Sequence, residues 1–203
     1  MTFAHWKLTE GKQVKTAKSR ILETDLEFIT KYALWREEIA EWNGDNQSPG
    51  MFAYYKDHCM AYVHFLLHSV MEKETGLSLL PSYTYFRVYR NGAILDPHKD
   101  RPACEVSASL LIGTNMEKPW PLIIEDEEIL QEVGDILIYR GCEVEHWRDP
   151  LVTEEGNYYV QLFAHYVDAN GPYKMHANDE ENGSINLCAK SVILVLSLVF
   201  SSE

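Results

Sequence analysis

A histidine and an aspartate stand two residues apart at the end of a predicted strand, in the run Asp96-Pro97-His98-Lys99-Asp100. Side chains two apart on an extended chain leave the same face, so His98 and Asp100 can reach one metal ion. His146, on a later predicted strand, can supply a third ligand. Two imidazoles and one carboxylate favour non-haem Fe(II), with the opposite coordination positions left open. We therefore predict an Fe(II) site at His98, Asp100 and His146.

The histidines also allow other interpretations. Taken singly, His98 and Asp100 could be a hydrogen-bonded pair at a strand end, and His146 an unrelated core residue. His64 and His68 lie four apart on a predicted helix, a spacing that suits a shared zinc ion, but the sequence between them lacks the glutamate of an HExxH motif. We expect these two to lie on a helix face that contacts the sheet.

The surrounding elements predict a mainly β fold with N-terminal helices (α+β). Apolar residues three to five apart predict a helix over 21–42, and a second helix is predicted over 52–74, ending at Gly76. From Pro81 the chain changes to short runs rich in Tyr, Val, Ile and Leu separated by turn residues, as in a β-sandwich or barrel. The eight predicted strands are 83–90, 93–98, 105–112, 120–125, 128–131, 135–139, 143–147 and 157–167.

Length and composition limit the classes of protein. A chain of 203 residues with 46% hydrophobic residues is long enough for one packed domain. We divide it into a helical support (1–80), a β core (81–168) and a C-terminal extension (169–203). The net charge of −13 offers no basic surface to phosphates, so no nucleic-acid partner is expected.

The cysteines and the chain ends bear on location. Four dispersed cysteines without a CxxC pair disfavour a zinc site and a disulfide framework, and fit a reducing compartment. Residues 1–10 lack the apolar run of a secretory signal, so we expect a cytoplasmic protein. The apolar run 191–201 is about half the roughly 20 residues that a membrane-spanning helix needs. An extra buried strand, a hydrophobic tail and an artefact of gene prediction all fit this run better than a membrane anchor.

The context of the His-x-Asp motif is more specific than the motif itself. The motif follows a Tyr-x-x-Gly turn, and His146 follows a Gly-Asp turn at Gly134. The runs VYRNGAILDPHKDRPACEVSASLLIG, WPLII, GDILIYRGCEVEHW and YYVQLFAHYV resemble the core of Fe(II)/2-oxoglutarate dioxygenases, especially the prolyl 4-hydroxylase-like branch. The resemblance covers roughly residues 83–167.

This resemblance implies a double-stranded β-helix, a cupin-like jelly-roll, braced by two or more helices. It implies Fe(II) held by His98, Asp100 and His146, with 2-oxoglutarate as co-substrate, dioxygen as oxidant and ascorbate as a candidate reductant. Family members that halogenate lack the carboxylate ligand, so Asp100 indicates hydroxylation or a related oxidation.

The sequence departs from the family where the distal carboxylate of 2-oxoglutarate is usually bound. The family places Lys or Arg about ten residues after the distal histidine, whereas this chain has Glu155-Gly156-Asn157-Tyr158-Tyr159. A buried dicarboxylate needs a cation or several donors. We predict Arg148, on the same strand face as His146, as the substitute, although a surface arginine paired with Asp149 or Glu145 is the alternative. Further candidates for the 2-oxoglutarate site are Arg87, Tyr89, Tyr158 and Gln161.

These observations predict an oxygenase that hydroxylates an amino-acid or peptidyl side chain while 2-oxoglutarate is converted to succinate. The alternative is a non-catalytic, cupin-like jelly-roll that binds a ligand or metal. A third possibility is an oxygenase that uses another oxidant or another 2-oxoacid.

Overall fold

A computed structural model describes residues 14–40 and 45–179. Ten strands and two α-helices make up this part of the chain, which confirms the predicted mainly β fold. The helices are α1 (Glu23–Glu38) and α2 (His58–Thr75). The strands are β1 (Val14–Lys18), β2 (Phe52–Tyr55), β3 (Leu79–Tyr89), β4 (Leu95–His98), β5 (Val106–Thr114), β6 (Leu122–Ile124), β7 (Glu127–Ile129), β8 (Asp135–Tyr139), β9 (His146–Arg148) and β10 (Tyr159–Asp168).

Six strands form one antiparallel sheet in the order β1-β8-β5-β10-β3-β2. Successive side chains of a strand point to opposite faces, and β10 shows the result. Val160, Leu162 and Ala164 belong to a buried apolar cluster with residues of α1 and α2, such as Ile29 and Leu67. The helices therefore cover one face of this sheet, while the alternate residues of β10 point to the other.

The other four strands form a second antiparallel sheet in the order β4-β9-β6-β7. Leu95 of β4 and Leu122 of β6 are buried in one apolar cluster with Leu137 and Tyr139 of β8. This cluster joins the small sheet to the face of the large sheet that the helices leave uncovered. The predicted metal ligands lie on β4, just after it, and on β9, so they belong to the space between the sheets.

Local signals explain where α2 begins and ends. The Asp57 carboxylate accepts hydrogen bonds from the backbone N–H groups of Cys59 and Met60, 2.9 and 3.2 Å away, and so satisfies two donors that a helix start leaves free. Gly76 ends the helix in a left-handed conformation (φ 72°) that glycine adopts without steric penalty.

Two parts of the predicted N-terminal region were wrong. The helix predicted over 52–74 begins only at His58, because Phe52–Tyr55 forms β2 and pairs with β3. Strand β1, which pairs with β8, was not predicted. The N-terminal support therefore contributes two strands to the large sheet and is not purely helical. The apolar run 191–201 lies outside the described residues.

The eight predicted strands all correspond to strands of the structure, with ends that differ by zero to four residues. Strand β8 has the predicted bounds, whereas β3 starts four residues earlier than predicted. Neither helix within residues 14–40 and 45–179 is both long and apolar enough to cross a membrane.

Candidate metal centre

His98, Asp100 and His146 converge between the two sheets. The Nε2 atoms of His98 and His146 lie 3.6 and 3.7 Å from Oδ1 of Asp100, and the imidazole centroids are 4.3 Å apart. One nitrogen or oxygen atom from each residue lies within 4.8 Å of the other two. The structure thus places the three predicted ligands around a single point.

Strand pairing brings the histidines together. His98 and His146 are directly opposite each other in the β4–β9 pair. Nδ1 of His98 is 2.7 Å from the backbone carbonyl oxygen of Asp96, and Nδ1 of His146 is 3.1 Å from that of Val144. A carbonyl can only accept, so each Nδ1 carries the proton and each Nε2 is left with a lone pair. Both rings are therefore oriented and in the tautomer that metal binding requires.

The Asp100 carboxylate is fixed by the loop that follows β8 and by β5. The Asp100 N–H donates to the carbonyl of Gly141 at 2.9 Å. Oδ2 of Asp100 accepts a hydrogen bond from the Ser107 hydroxyl at 3.1 Å, and that hydroxyl is also 2.9 Å from Nδ1 of His165. Oδ1 is the oxygen that faces the two histidines.

Burial favours the neutral form of the His146 and His165 imidazoles. It holds the pKa of His146 below its usual value of 6.5, although the Asp100 charge acts in the opposite direction. Burial also lowers the pKa of His165 to about 4. The thiol of Cys104 lies close to Asp100 and His165, but burial raises its pKa, so it is protonated and a poor metal ligand.

Arg148 is buried, with an exposed fraction of 1%, and points between the sheets on the same face of β9 as His146. One guanidinium nitrogen donates to the backbone carbonyl of Trp120. The guanidinium carbon lies 4.6 Å from the Trp120 ring centroid and 5.0 Å from that of Tyr159. Nε and Nη2 have no partner within the described part of the chain. This placement contradicts the alternative of a surface ion pair with Asp149 or Glu145.

Three more polar side chains share this interior. Tyr89 is fully buried, and its ring centroid lies 5.0 Å from that of Trp120. Tyr159 is its partner across the strand pair, and the buried Tyr159 hydroxyl finds no partner among residues 14–40 and 45–179. Gln161 donates to Ser109 at 2.7 Å, while its carbonyl oxygen is likewise unpartnered in the described chain.

Two residues predicted to bind 2-oxoglutarate are not available in this interior, because one lies on the helix side of the sheet and the other already binds protein side chains. Tyr158 packs against the apolar cluster between the large sheet and the helices, and the Arg90 guanidinium lies over its ring. Tyr158 is three residues from Gln161, and an odd spacing puts the two side chains on opposite faces of an extended chain. Arg87 does face the interior, but Nη2 binds Asp45 at 2.6 Å and Gln47 at 2.8 Å.

The prediction missed Tyr159, Ser107 and His165. Tyr159 and His165 lie two and four residues from Gln161, so strand alternation would have placed them on the same interior face. His64 and His68 lie against the sheet, as expected: the His64 ring is 4.4 Å from that of Tyr166, and Nε2 of His68 is 2.8 Å from the carbonyl of Leu79.

No protein-family model matches the sequence, and no curated protein is similar enough to be matched. Solved structures do match the fold. A prolyl-4-hydroxylase from Pseudomonas putida superposes with a TM-score of 0.59 at 16% identity, over 83% of this chain and 99% of that one. The epimerase SnoN from nogalamycin biosynthesis, in complex with Fe3+, α-ketoglutarate and nogalamycin RO, gives 0.66 at 12% identity, over 91% of each chain.

A third match is the viral collagen prolyl hydroxylase of Paramecium Bursaria Chlorella virus-1 in its 2-oxoglutarate complex, with a TM-score of 0.57 and 10% identity over 79% of this chain and 99% of that one. At such identities the likeness concerns the fold. The described chain thus shares the fold of these proteins, two of which are prolyl hydroxylases, and the resemblance in sequence is confirmed at the level of the fold.

Proposed function

We propose that this protein is an Fe(II)- and 2-oxoglutarate-dependent oxygenase with a double-stranded β-helix core. The observation that carries the proposal is the convergence of His98, Asp100 and His146, with both histidine Nε2 atoms and one carboxylate oxygen directed at one point. The fold shared with solved oxygenases supports it.

The donor atoms fit an Fe(II) ion. Two ligands that are each about 2.1 Å from one ion can be at most about 4.2 Å apart, and the 3.6 and 3.7 Å between Asp100 Oδ1 and the histidine nitrogens lie within that limit. Two neutral imidazoles and a carboxylate are the donor set of non-haem iron oxygenases, and they leave room for a co-substrate and dioxygen.

Arg148 fits the distal carboxylate of 2-oxoglutarate. Its guanidinium is a buried cation with two N–H positions unpartnered in the described residues, and a buried charge in that state is unfavourable until an anion binds. A carboxylate there would accept from Arg148, with the Tyr159 hydroxyl as a further donor. Tyr89 and Trp120 enclose the site, and the Trp120 carbonyl fixes the guanidinium.

The residues of this chain have separate roles in the proposed reaction. The chemistry that Fe(II) supplies when bound is the reduction of dioxygen, coupled to oxidative decarboxylation of 2-oxoglutarate to succinate and carbon dioxide, with one oxygen atom transferred to the substrate. His98, Asp100 and His146 hold the metal position, and Arg148 orients the co-substrate. The apolar residues between the sheets exclude water from this interior.

We further propose that the reaction is the hydroxylation of an amino-acid or peptidyl side chain. Asp100 supplies the carboxylate that hydroxylating enzymes of this kind retain, and prolyl hydroxylases are among the structures that share the fold.

Anaerobic addition of Fe(II) and then 2-oxoglutarate to the purified protein tests the proposal. We expect the weak visible charge-transfer band of an iron-chelated keto acid, and its loss in His98→Ala. Arg148→Met should keep iron binding but weaken 2-oxoglutarate by about 30-fold or more, because a buried charged hydrogen-bond partner contributes about 2 kcal/mol or more.

Arg90→Met is the matched control, since Arg90 lies at the helix side, bound to Glu37, and its loss should leave 2-oxoglutarate affinity unchanged. Absence of both iron binding and the band in the wild-type protein would overturn the proposal and favour a ligand-binding jelly-roll.

A further inference from the structure

A hydrogen-bonded chain of side chains reaches Asp100 from the large sheet. Ser107 of β5 and His165 of β10 are directly paired across the two strands, and both side chains are buried. The Ser107 hydroxyl is 2.9 Å from Nδ1 of His165 and 3.1 Å from Oδ2 of Asp100. This chain, His165–Ser107–Asp100, is called the Asp100 relay below.

The direction of the relay follows from counting protons. A hydroxyl has one proton, and two groups that can only accept compete for it: Oδ2 of Asp100 at 3.1 Å and the Cys104 carbonyl oxygen at 3.3 Å. The carboxylate is charged and closer, so the Ser107 proton points at Asp100. Ser107 then accepts from His165, which requires the neutral ring to carry its proton on Nδ1. The opposite direction would leave two oxygen lone pairs facing each other at 3.1 Å.

We infer that Ser107 and His165 are positioning residues that hold Oδ2 of Asp100 away from the metal, so that the carboxylate binds iron through Oδ1 alone. This inference rests on the proposed metal site. The distances support it, because Oδ1 lies 3.6 and 3.7 Å from the two histidine nitrogens while Oδ2 is engaged by the serine. A single-oxygen carboxylate leaves one more coordination position for co-substrate or dioxygen.

Gly141 shows how closely the relay is packed. Its carbonyl accepts the Asp100 N–H, and a Cβ atom at this position would lie 2.7 Å from both the Cys104 carbonyl oxygen and the Ser107 hydroxyl, and would overlap Oδ2 of Asp100. On the side of Gly141, the space beside Oδ2 therefore has no room for a methyl group. Rotation of the carboxylate is restricted on that side.

Titration with Co(II), in the absence of 2-oxoglutarate, tests the relay, with affinity and the visible spectrum as readouts. Orienting partners of metal ligands typically contribute about 10- to 100-fold to metal affinity, so we expect that loss in Ser107→Ala and in His165→Leu. His165→Asn, whose amide N–H can replace Nδ1–H, should bind Co(II) nearly as the wild type does. The Co(II) spectrum of Ser107→Ala should change, because freeing Oδ2 alters the coordination number.

The double variant Ser107→Ala/His165→Leu distinguishes a relay from independent packing effects. His165 acts through Ser107, so the double variant should bind Co(II) no more weakly than Ser107→Ala alone. Ser109→Ala is the matched control: Ser109 is buried on the same face of β5 but accepts from Gln161, so its loss should leave Co(II) affinity unchanged. Circular dichroism in EDTA checks folding, and Ser107→Cys, a weaker donor of similar size, replaces the alanine variant if that chain does not fold.

Wild-type Co(II) affinity and spectrum in Ser107→Ala, or additive losses in the double variant, would overturn the relay and leave the proposed function intact. Failure of the wild-type protein to bind Co(II) would instead remove the proposed metal site.

Discussion

The buried histidines make the stability of the metal-free protein depend on pH. Burial lowers the pKa of His64 to about 3 and that of His165 to about 4, whereas in the unfolded chain both titrate near 6.5. Between these values the unfolded chain binds more protons than the folded chain. The free energy of unfolding must therefore decrease as the pH falls below about 6.5, and this loss is reversed when the pH is raised.

The magnitude follows from these pKa values. Between pH 7 and pH 5 each imidazole is protonated in the unfolded chain and stays neutral in the folded one, which removes about 2 kcal/mol per histidine, or about 4 kcal/mol together. Burial lowers the pKa of His146 as well, so its contribution has the same sign.

Urea unfolding followed by circular dichroism in EDTA at pH 7, 6 and 5 measures this loss. His64→Gln should reduce the loss by about half, whereas His58→Gln, at an exposed position of the same helix, should leave it unchanged. A free energy of unfolding that changes by less than about 1 kcal/mol over this range would show that His64 and His165 are not buried as neutral groups.

Three further predictions concern single side chains. Gly141→Ala should weaken Co(II) binding about 10- to 100-fold, measured by titration, because the alanine methyl group would overlap Oδ2 of Asp100; unchanged affinity would contradict the packing. Tyr159→Phe should weaken 2-oxoglutarate about 10-fold, the contribution of one hydrogen bond, in the charge-transfer assay, without loss of stability in the metal-free protein, since the hydroxyl has no partner in the described chain. Asp57→Ala should lower the free energy of unfolding in urea by more than the about 1–2 kcal/mol of an N-cap, because α2 loses its cap and the Tyr32 hydroxyl and Arg36 lose the same carboxylate; an unchanged midpoint would refute these roles of Asp57.

Strand alternation explains why parts of the site could be predicted from the sequence. The spacing of His146 from Arg148 places both on one face of β9, and His98 and Asp100, two apart at the end of β4, meet in the same interior. On the strand predicted over 157–167, the same alternation puts Tyr159, and not Tyr158, on the face of Gln161. The prediction of Tyr158 is thus displaced by one residue along the strand, and such a displacement exchanges the two strand faces.

Other features depend on contacts that no local pattern reveals. Asp45 lies 42 residues before Arg87 in the sequence, so no local pattern could show that Arg87 forms an ion pair with it. Strand β2 was merged with α2 because its four aromatic and apolar residues continue the apolar pattern of the helix. Strand β1 is short and lies at the edge of the described sheet, where β8 alone among the described strands pairs with it.

Strand β10 serves two purposes at once. Its even-numbered residues pack with the helices, and its odd-numbered residues Tyr159, Gln161 and His165 contribute to the proposed co-substrate and metal sites. Because the two sets point in opposite directions, substitutions at odd positions can change ligand preference without altering the packing that holds the helices. Selection, natural or in the laboratory, can therefore vary the ligand-facing side of this strand while its helix-facing side stays constant.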